Sequence, residues 1–239
     1  MPEPETALGA SDPTVRARAA AMLGHGRWPA GTSARLSELV ERDPVPAVRR
    51  AALATLVARA RPGRALRDWT YAAHDGDDGV RRAAADIATR FATRLCNTER
   101  TRPGTSAIAD VLVELIDDRA PLVAETSAFA LGEIVAMRAD GQTSYVAMEV
   151  LIRNASDHAD ALVREACVAA LGSMRAADVK GTEAALTVVL AAARDKPAIR
   201  RRAVIALSAF DSPAAENGIR EALTDRDWQV RQLAEDLLA

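Results

Sequence analysis

The sequence predicts an all-α solenoid, an α-α superhelix of about seven stacked helix pairs. Three observations carry the prediction. A short pattern recurs along the chain at intervals of 31 to 43 residues, the spacing expected when each copy is one helix-turn-helix unit. An Asp stands in a turn signal just ahead of nearly every copy, where a helix would begin. Apolar residues make up 49% of the chain but aromatics only 3%. That Ala, Leu and Val core suits many thin helix contacts better than one thick centre.

The pattern is Val-Arg, then a small residue four positions on and an apolar residue eight on. Its copies begin at Val15-Arg16, Val48-Arg49, Val80-Arg81, Val123-Ala124, Val163-Arg164, Ile199-Arg200 and Val230-Arg231. The small position holds Ala19, Ala52, Ala84, Ser127, Cys167, Ala203 and Ala234, and the apolar one Leu23, Leu56, Ala88, Leu131, Leu171, Leu207 and Leu238. On a helix, offsets 0, 4 and 8 fall at about 0°, 40° and 80°, so they form one buried stripe. The small residue at its centre lets neighbouring helices approach to ~8 Å. Asp12, Asp43, Asp77 and Asp78, Asp117 and Asp118, Asp157 and Asp160, Asp195, and Asp225 and Asp227 stand where they can cap these helices and complement their dipoles. A second amphipathic stretch precedes most copies, at 34–41, 107–116, 144–152, 183–193 and 214–223. Each unit is thus an A helix, a turn and a B helix that starts near Val-Arg. Pro-Gly at 62–63 and 103–104, with Gly141 and Gly181, is expected to punctuate the links between units. Residues 1–239 are expected to form a single domain.

The line Asp-(x)n-Val-Arg-x-x-Ala-x-x-x-Leu closes with Gly in Leu23-Gly24, Leu131-Gly132 and Leu171-Gly172. It resembles the HEAT repeat, most closely the HEAT-like subtype of the phycobilisome (PBS) bilin lyases, from about residue 10 to the end. The resemblance implies an armadillo-like superhelix whose B helices line a concave face. It also implies that the Arg after Val pairs with turn Asp residues as a ladder between units. Arg16, Arg49, Arg81, Arg164, Arg200 and Arg231 match that position, whereas Ala124 interrupts the ladder at the fourth unit.

Composition narrows the function. A net charge of −2 gives no overall attraction to nucleic acid or an anionic membrane. The acidic N-terminal residues lack a signal-peptide h-region, and no apolar run approaches the ~18 residues of a membrane span, so a cytoplasmic protein is expected. Cys96 and Cys167 are far apart and fit small core residues. His25, His74 and His158 fall in loops of different units and cannot converge on one metal. The iron-binding His-Glu pairs of HEAT-like deoxyhypusine hydroxylases are absent from the sequence. Residues 75–79 resemble half of a calcium loop but lack its Gly and closing Glu, and fit a helix N-cap. No nucleophile is paired with a base, and no phosphate-binding Gly motif occurs. No catalytic residue, metal or cofactor is therefore assigned.

Offsets +2, +6 and +9 point away from the buried stripe and are expected to line the groove. There Arg50 and Arg82, helped by Arg90, make units two and three basic. Glu125 and Glu165, helped by Glu133, make units four and five acidic. Phe129 sits at the seam, where an exposed aromatic ring would anchor a partner side chain. The expected function is a protein- or peptide-binding scaffold. The alternative from the repeat subtype is bilin-lyase-like or other small-ligand handling. Some HEAT-like proteins grip DNA with a basic concave face, but Glu125 and Glu165 would repel phosphate and few aromatics are free to stack on bases. Unit four lacks the ladder Arg, carries Ser127 for Ala and is flanked by the two longest intervals, which marks it as a functional candidate.

Overall fold

The computed structural model describes residues 3–98, 103–138, 141–174 and 181–239. The described residues form fourteen α-helices in seven A/B pairs and no strand. The chain divides into two compact units, Met1–Gly104 and Thr105–Ala239. The first contains α1 (Pro4–Ala7) and α2 (Pro13–Met22), α3 (Thr32–Arg42) and α4 (Pro46–Arg59), and α5 (Pro62–Ala73) and α6 (Asp78–Thr98). The second contains α7 (Pro103–Leu115) and α8 (Pro121–Arg138), α9 (Gly141–Asp157) and α10 (Ala161–Ser173), α11 (Thr182–Ala192) and α12 (Pro197–Leu207), and α13 (Pro213–Ala222) and α14 (Trp228–Leu238). Within the first unit the B helices α2, α4 and α6 pack in succession; within the second, α8, α10, α12 and α14 do so.

The turns show why the helices start where they do. Asp12, Asp160 and Asp227 are N-caps whose carboxylates accept from the amides of Thr14, Leu162 and Gln229 at 2.7, 2.8 and 2.9 Å. Asp43, Asp75, Asp118 and Asp225 instead lie earlier in their turns and accept from the amide two residues on. Pro opens α2, α4, α5, α12 and α13, where its missing N–H has no helical partner to lose. The Pro-Gly pairs expected as links at 62–63 and 103–104 are therefore the first turns of α5 and α7. Gly181, also expected as a link, is the N-cap of α11 with φ of 104°, a conformation that favours glycine.

The stripe is buried at Val48, Val80, Val123, Val163, Ile199 and Val230, and all seven small positions are buried beneath their neighbours. Val15, on the first B helix, and Leu238, on the last, are exposed. Offset +9 departs from the expectation that it faces the groove. A Cβ at Gly132 would lie 2.7 Å from Cα of Ala170, and one at Gly172 would lie 2.8 Å from Cα of Ala206. These glycines are where α8 meets α10 and α10 meets α12, so the closing Gly is a packing residue. In the first unit Trp69 is fully buried on α5, donates from Nε1 to the Ala84 carbonyl at 2.8 Å and lies 6.3 Å from the ring of Phe91. The buried Asp68 carboxylate accepts from Ser37 Oγ at 2.6 Å and from Arg67, joining α5 to α3.

Candidate functional site

The arginines after the anchor act at the turns. Arg16 donates to both oxygens of Asp43, Arg49 to both of Asp75 and Arg200 to both of Asp225, at 2.7 to 3.0 Å. Arg164 reaches Asp195 at 3.2 Å. In each case Nη1 also donates to carbonyls of the arginine's own turn, as it does from Arg81 to Asp75 O and from Arg231 to Asp225 O. These planar forks tie one repeat's B helix to the next repeat's turn. The hydrogen bond to its Asp raises the pKa of each of Arg16, Arg49 and Arg200. At the fourth repeat Ala124 has no side chain to give. There Arg153 and Asn154 of α9 reach back to Asp117 instead, with Asn154 Nδ2 at 3.1 Å.

A second set of arginines, not singled out in the sequence, closes helix ends in the first unit. Arg94 of α6 donates to the Val57 and Ala60 carbonyls at the end of α4. Arg59 of α4 donates to Gly26 O and lies 5.4 Å above the Trp28 ring. Nothing in a local sequence window marks these contacts, because their partners lie more than thirty residues away.

The outward B-helix faces of the two units differ. In the first, Arg50, Arg82 and Arg90 are exposed beside Ala21, Ala54 and Asp86, and the Arg50 guanidinium lies against Gly79. The face is basic and offers no large apolar side chain at offset +6. In the second unit, Leu122 is 47% exposed, Phe129 37%, Leu162 49% and Ile205 43%. Leu122 and Phe129 stand seven residues apart on α8, so they fall on one line of that helix. Leu162 and Ala169 repeat this line on α10, and Ile205 continues it on α12. Phe129, Ala169, Ile205 and Ala209 line a depression of about 370 Å³ with Glu133 and Arg202 at its edge. Arg202 lies 5.9 Å above the Phe129 ring and 3.5 Å from the Glu165 carboxylate. Glu125 and Glu133 stand one turn either side of Phe129 on α8. The structure thus brings Phe129, Glu125, Glu133 and Glu165 together on one unit and places Arg50, Arg82 and Arg90 on the other.

Three contributors escaped the sequence reading. Leu122 and Leu162 occupy offset −1, which falls at about 260°, within 20° of offset +6; extending the stripe one residue upstream would have found them. Arg202 occupies offset +3, one past the position read. Beneath the patch Ser127 Oγ is buried without a hydrogen-bond partner, an apolar site filled by a polar residue.

A larger depression of about 820 Å³ lies in the first unit between the turns at Asp43 and Asp75. Four of its polar groups have partners within the chain: Asp43 and Asp75 accept from their arginines, Tyr71 Oη donates to Glu41 O, and His74 Nδ1 lies 2.8 Å from Thr70 O. Asp77, in the calcium-loop-like segment, accepts from Val80 N and caps α6. Burial pushes the Cys167 thiol up to about 12, that of a core residue. Among the described residues no helix is long and apolar enough to cross a membrane.

The architecture is that of a helical repeat solenoid, and comparison with known proteins gives it a family context. A family model for HEAT repeats matches residues 148–239. No curated protein matches the sequence. Among solved structures, the chain is similar to a designed armadillo repeat protein at 18% identity and a TM-score of 0.54, covering 99% of this chain and 98% of that one. A second designed armadillo repeat protein, solved in complex with the peptide (KR)4, gives 16% identity and a TM-score of 0.55, covering 100% and 98%. YibA of E. coli gives 16% identity and a TM-score of 0.59, covering 90% and 76%. At such identities the structures speak for the fold. The HEAT-repeat match covers less than half of the chain.

Proposed function

We propose that residues 1–239 form a single HEAT-repeat domain, with repeats of the PBS bilin lyase type, that serves as a cytoplasmic scaffold. Its role is to hold a protein or peptide partner on the outward face of its B helices, not to catalyse. The observation that carries the reading is the row of Leu122, Phe129, Leu162 and Ile205, four large apolar side chains left in water on three successive B helices. Isolated exposed apolar residues are ordinary, but a contiguous patch rimmed by charge marks an interaction site. The architecture, shared with a designed repeat protein that was solved with a bound peptide, supports the same reading. Phe129 is the anchor, stiffened by the guanidinium above it. Arg50, Arg82 and Arg90 steer acidic surface and act chiefly on the association rate.

No specific observation favours tetrapyrrole handling over this reading. Affinity capture with the purified full chain, read by mass spectrometry, tests the proposal. The wild-type chain should retain a polypeptide that the Phe129→Ala/Leu162→Ala variant loses. By calorimetry Phe129→Ala alone should weaken that complex by ~2 kcal/mol or more. Undiminished capture by the folded double variant would remove this face from the binding site. Visible absorption by the purified protein would point to a pigment instead.

A further inference from the structure

The hydrogen-bonding inventory of this face says what kind of polypeptide it takes. An extended peptide presents alternating backbone N–H and C=O groups, and a surface that binds one must supply both donors and acceptors. Helices α8, α10 and α12 contain no Asn or Gln. The hydroxyls on or beside the patch are spent as donors on their own helices: Thr126 on Leu122 O at 2.7 Å, Ser173 on Ala169 O at 3.2 Å and Ser208 on Ile205 O at 2.7 Å. Glu125, Glu133 and Glu165 are acceptors only when ionised. Donors remain at one end alone, where Arg202 is already drawn to Glu165 and Phe129, and Arg201 donates to Gln229. Among the described residues, the carbonyls of an extended chain crossing α8 and α10 would find no free side-chain donor on the patch.

An α-helix has no such need, because its backbone groups satisfy one another. The patch also has the right dimensions. Leu122 and Phe129 are about 10 Å apart along α8, at ~1.5 Å per residue. Three packed helices at ~8–10 Å spacing extend it by about 20 Å in the other direction. That suits the apolar stripe of a helix of roughly four turns. The charges beside it are complementary to a cation. Glu125 and Glu133 flank Phe129, and among the described residues neither forms an ion pair. We infer that this face receives an amphipathic α-helix whose apolar stripe is flanked by Lys or Arg. The inference rests on the docking reading above and specifies the partner's chemistry.

Fluorescence anisotropy with the full chain and labelled synthetic probes tests it. The first probe is a peptide of about 18 residues with Leu at helical i, i+4 spacing and Lys on the flanks. The second replaces Lys by Glu, the third carries two central prolines that break the helix, and the fourth is the extended peptide (KR)4. The Leu/Lys helix should bind at least about tenfold more tightly than each of the others. Phe129→Ala or Leu162→Ala, checked for helicity by circular dichroism, should weaken it at least about tenfold, a hot-spot effect. Glu133→Lys should narrow the gap between the Lys and Glu probes. Equal binding of the proline-broken or (KR)4 probe overturns the inference, as does binding that survives both apolar substitutions. Should a captured partner be lost in Phe129→Ala while no helical probe binds, the docking reading stands and the helix falls. Should neither respond, both fall.

Discussion

Replacing Arg200 by Ala measures what one rung of the turn ladder contributes. The Arg200 side chain is 4% exposed and that of Asp225 13%. Two charge-assisted hydrogen bonds of 2.8 and 2.7 Å join them, and a third, of 2.9 Å, runs to the Asp195 carbonyl. Truncation deletes all three and leaves the nearly buried carboxylate with the Asp227 amide alone. Each charged hydrogen bond is worth ~1.5–3 kcal/mol, and removing one partner of a buried pair costs ~3–5 kcal/mol. Asp225 keeps one amide and an edge open to water, so the lower end applies, about 3 kcal/mol. Arg153→Ala is the control, because that pair is 54% and 55% exposed and an exposed pair is worth ~0–1 kcal/mol. Urea denaturation followed by circular dichroism gives both numbers. Amide exchange across α12 to α14 shows whether the loss stays local, as nearest-neighbour coupling between repeats requires. A cost below about 1 kcal/mol at Arg200, or one no greater than at Arg153, would refute the reasoning.

Three other outcomes follow from the same structure. Ser127→Ala removes a buried hydroxyl that has no partner and should stabilise the chain by about 1 kcal/mol, seen as a higher urea midpoint. Gly172→Leu drives a side chain into the Ala206 backbone, whereas Gly76→Ala meets nothing within 4 Å; the first should cost at least ~1–3 kcal/mol and the second within ~0.5 kcal/mol. The Asp43 and Asp225 carboxyls are held below the ordinary range. At Asp43 burial opposes this and is outweighed by hydrogen bonds from Arg16 and the Val45 amide; at Asp225 the Arg200 hydrogen bond leads. The native chain therefore takes up these protons less readily than the unfolded one. Their contribution is complete above about pH 4 and is lost as pH falls through the lowered native values. Urea midpoints should drop below that pH, and less steeply in Asp225→Asn.

Much of the fold was legible because each repeat states it again. Val48, Ala52 and Leu56 recur at a spacing that buries one side of a helix, and their counterparts in later repeats, Leu238 excepted, are buried in the structure. The turn Asp residues were legible as a group, yet sequence alone did not separate the caps from those that receive the next repeat's arginine. That distinction depends on a partner some thirty residues away. The Gly at offset +9 was read by angle alone as a groove residue. Angle gives the direction of a missing side chain but not the neighbouring backbone, which at Gly132 is Ala170. Phe129 was visible as an aromatic on a small-residue face. Leu122 and Leu162 were not, because they lie outside the repeated pattern, one residue ahead of its anchor. Arg202 stayed hidden behind Arg201, since a run of three arginines does not say which one turns toward α8.

The docking face itself is tested most directly by methyl-resolved NMR of the full chain titrated with the partner recovered by affinity capture. Leu122, Leu162 and Ile205 lie on the proposed face, while Met22 and Leu223 are exposed elsewhere. Contact through the face shifts or broadens the methyl signals of Leu122, Leu162 and Ile205 at stoichiometric partner and leaves those of Met22 and Leu223 in place. Shifts confined to Met22 and Leu223, with the other three unmoved at saturation, would contradict it.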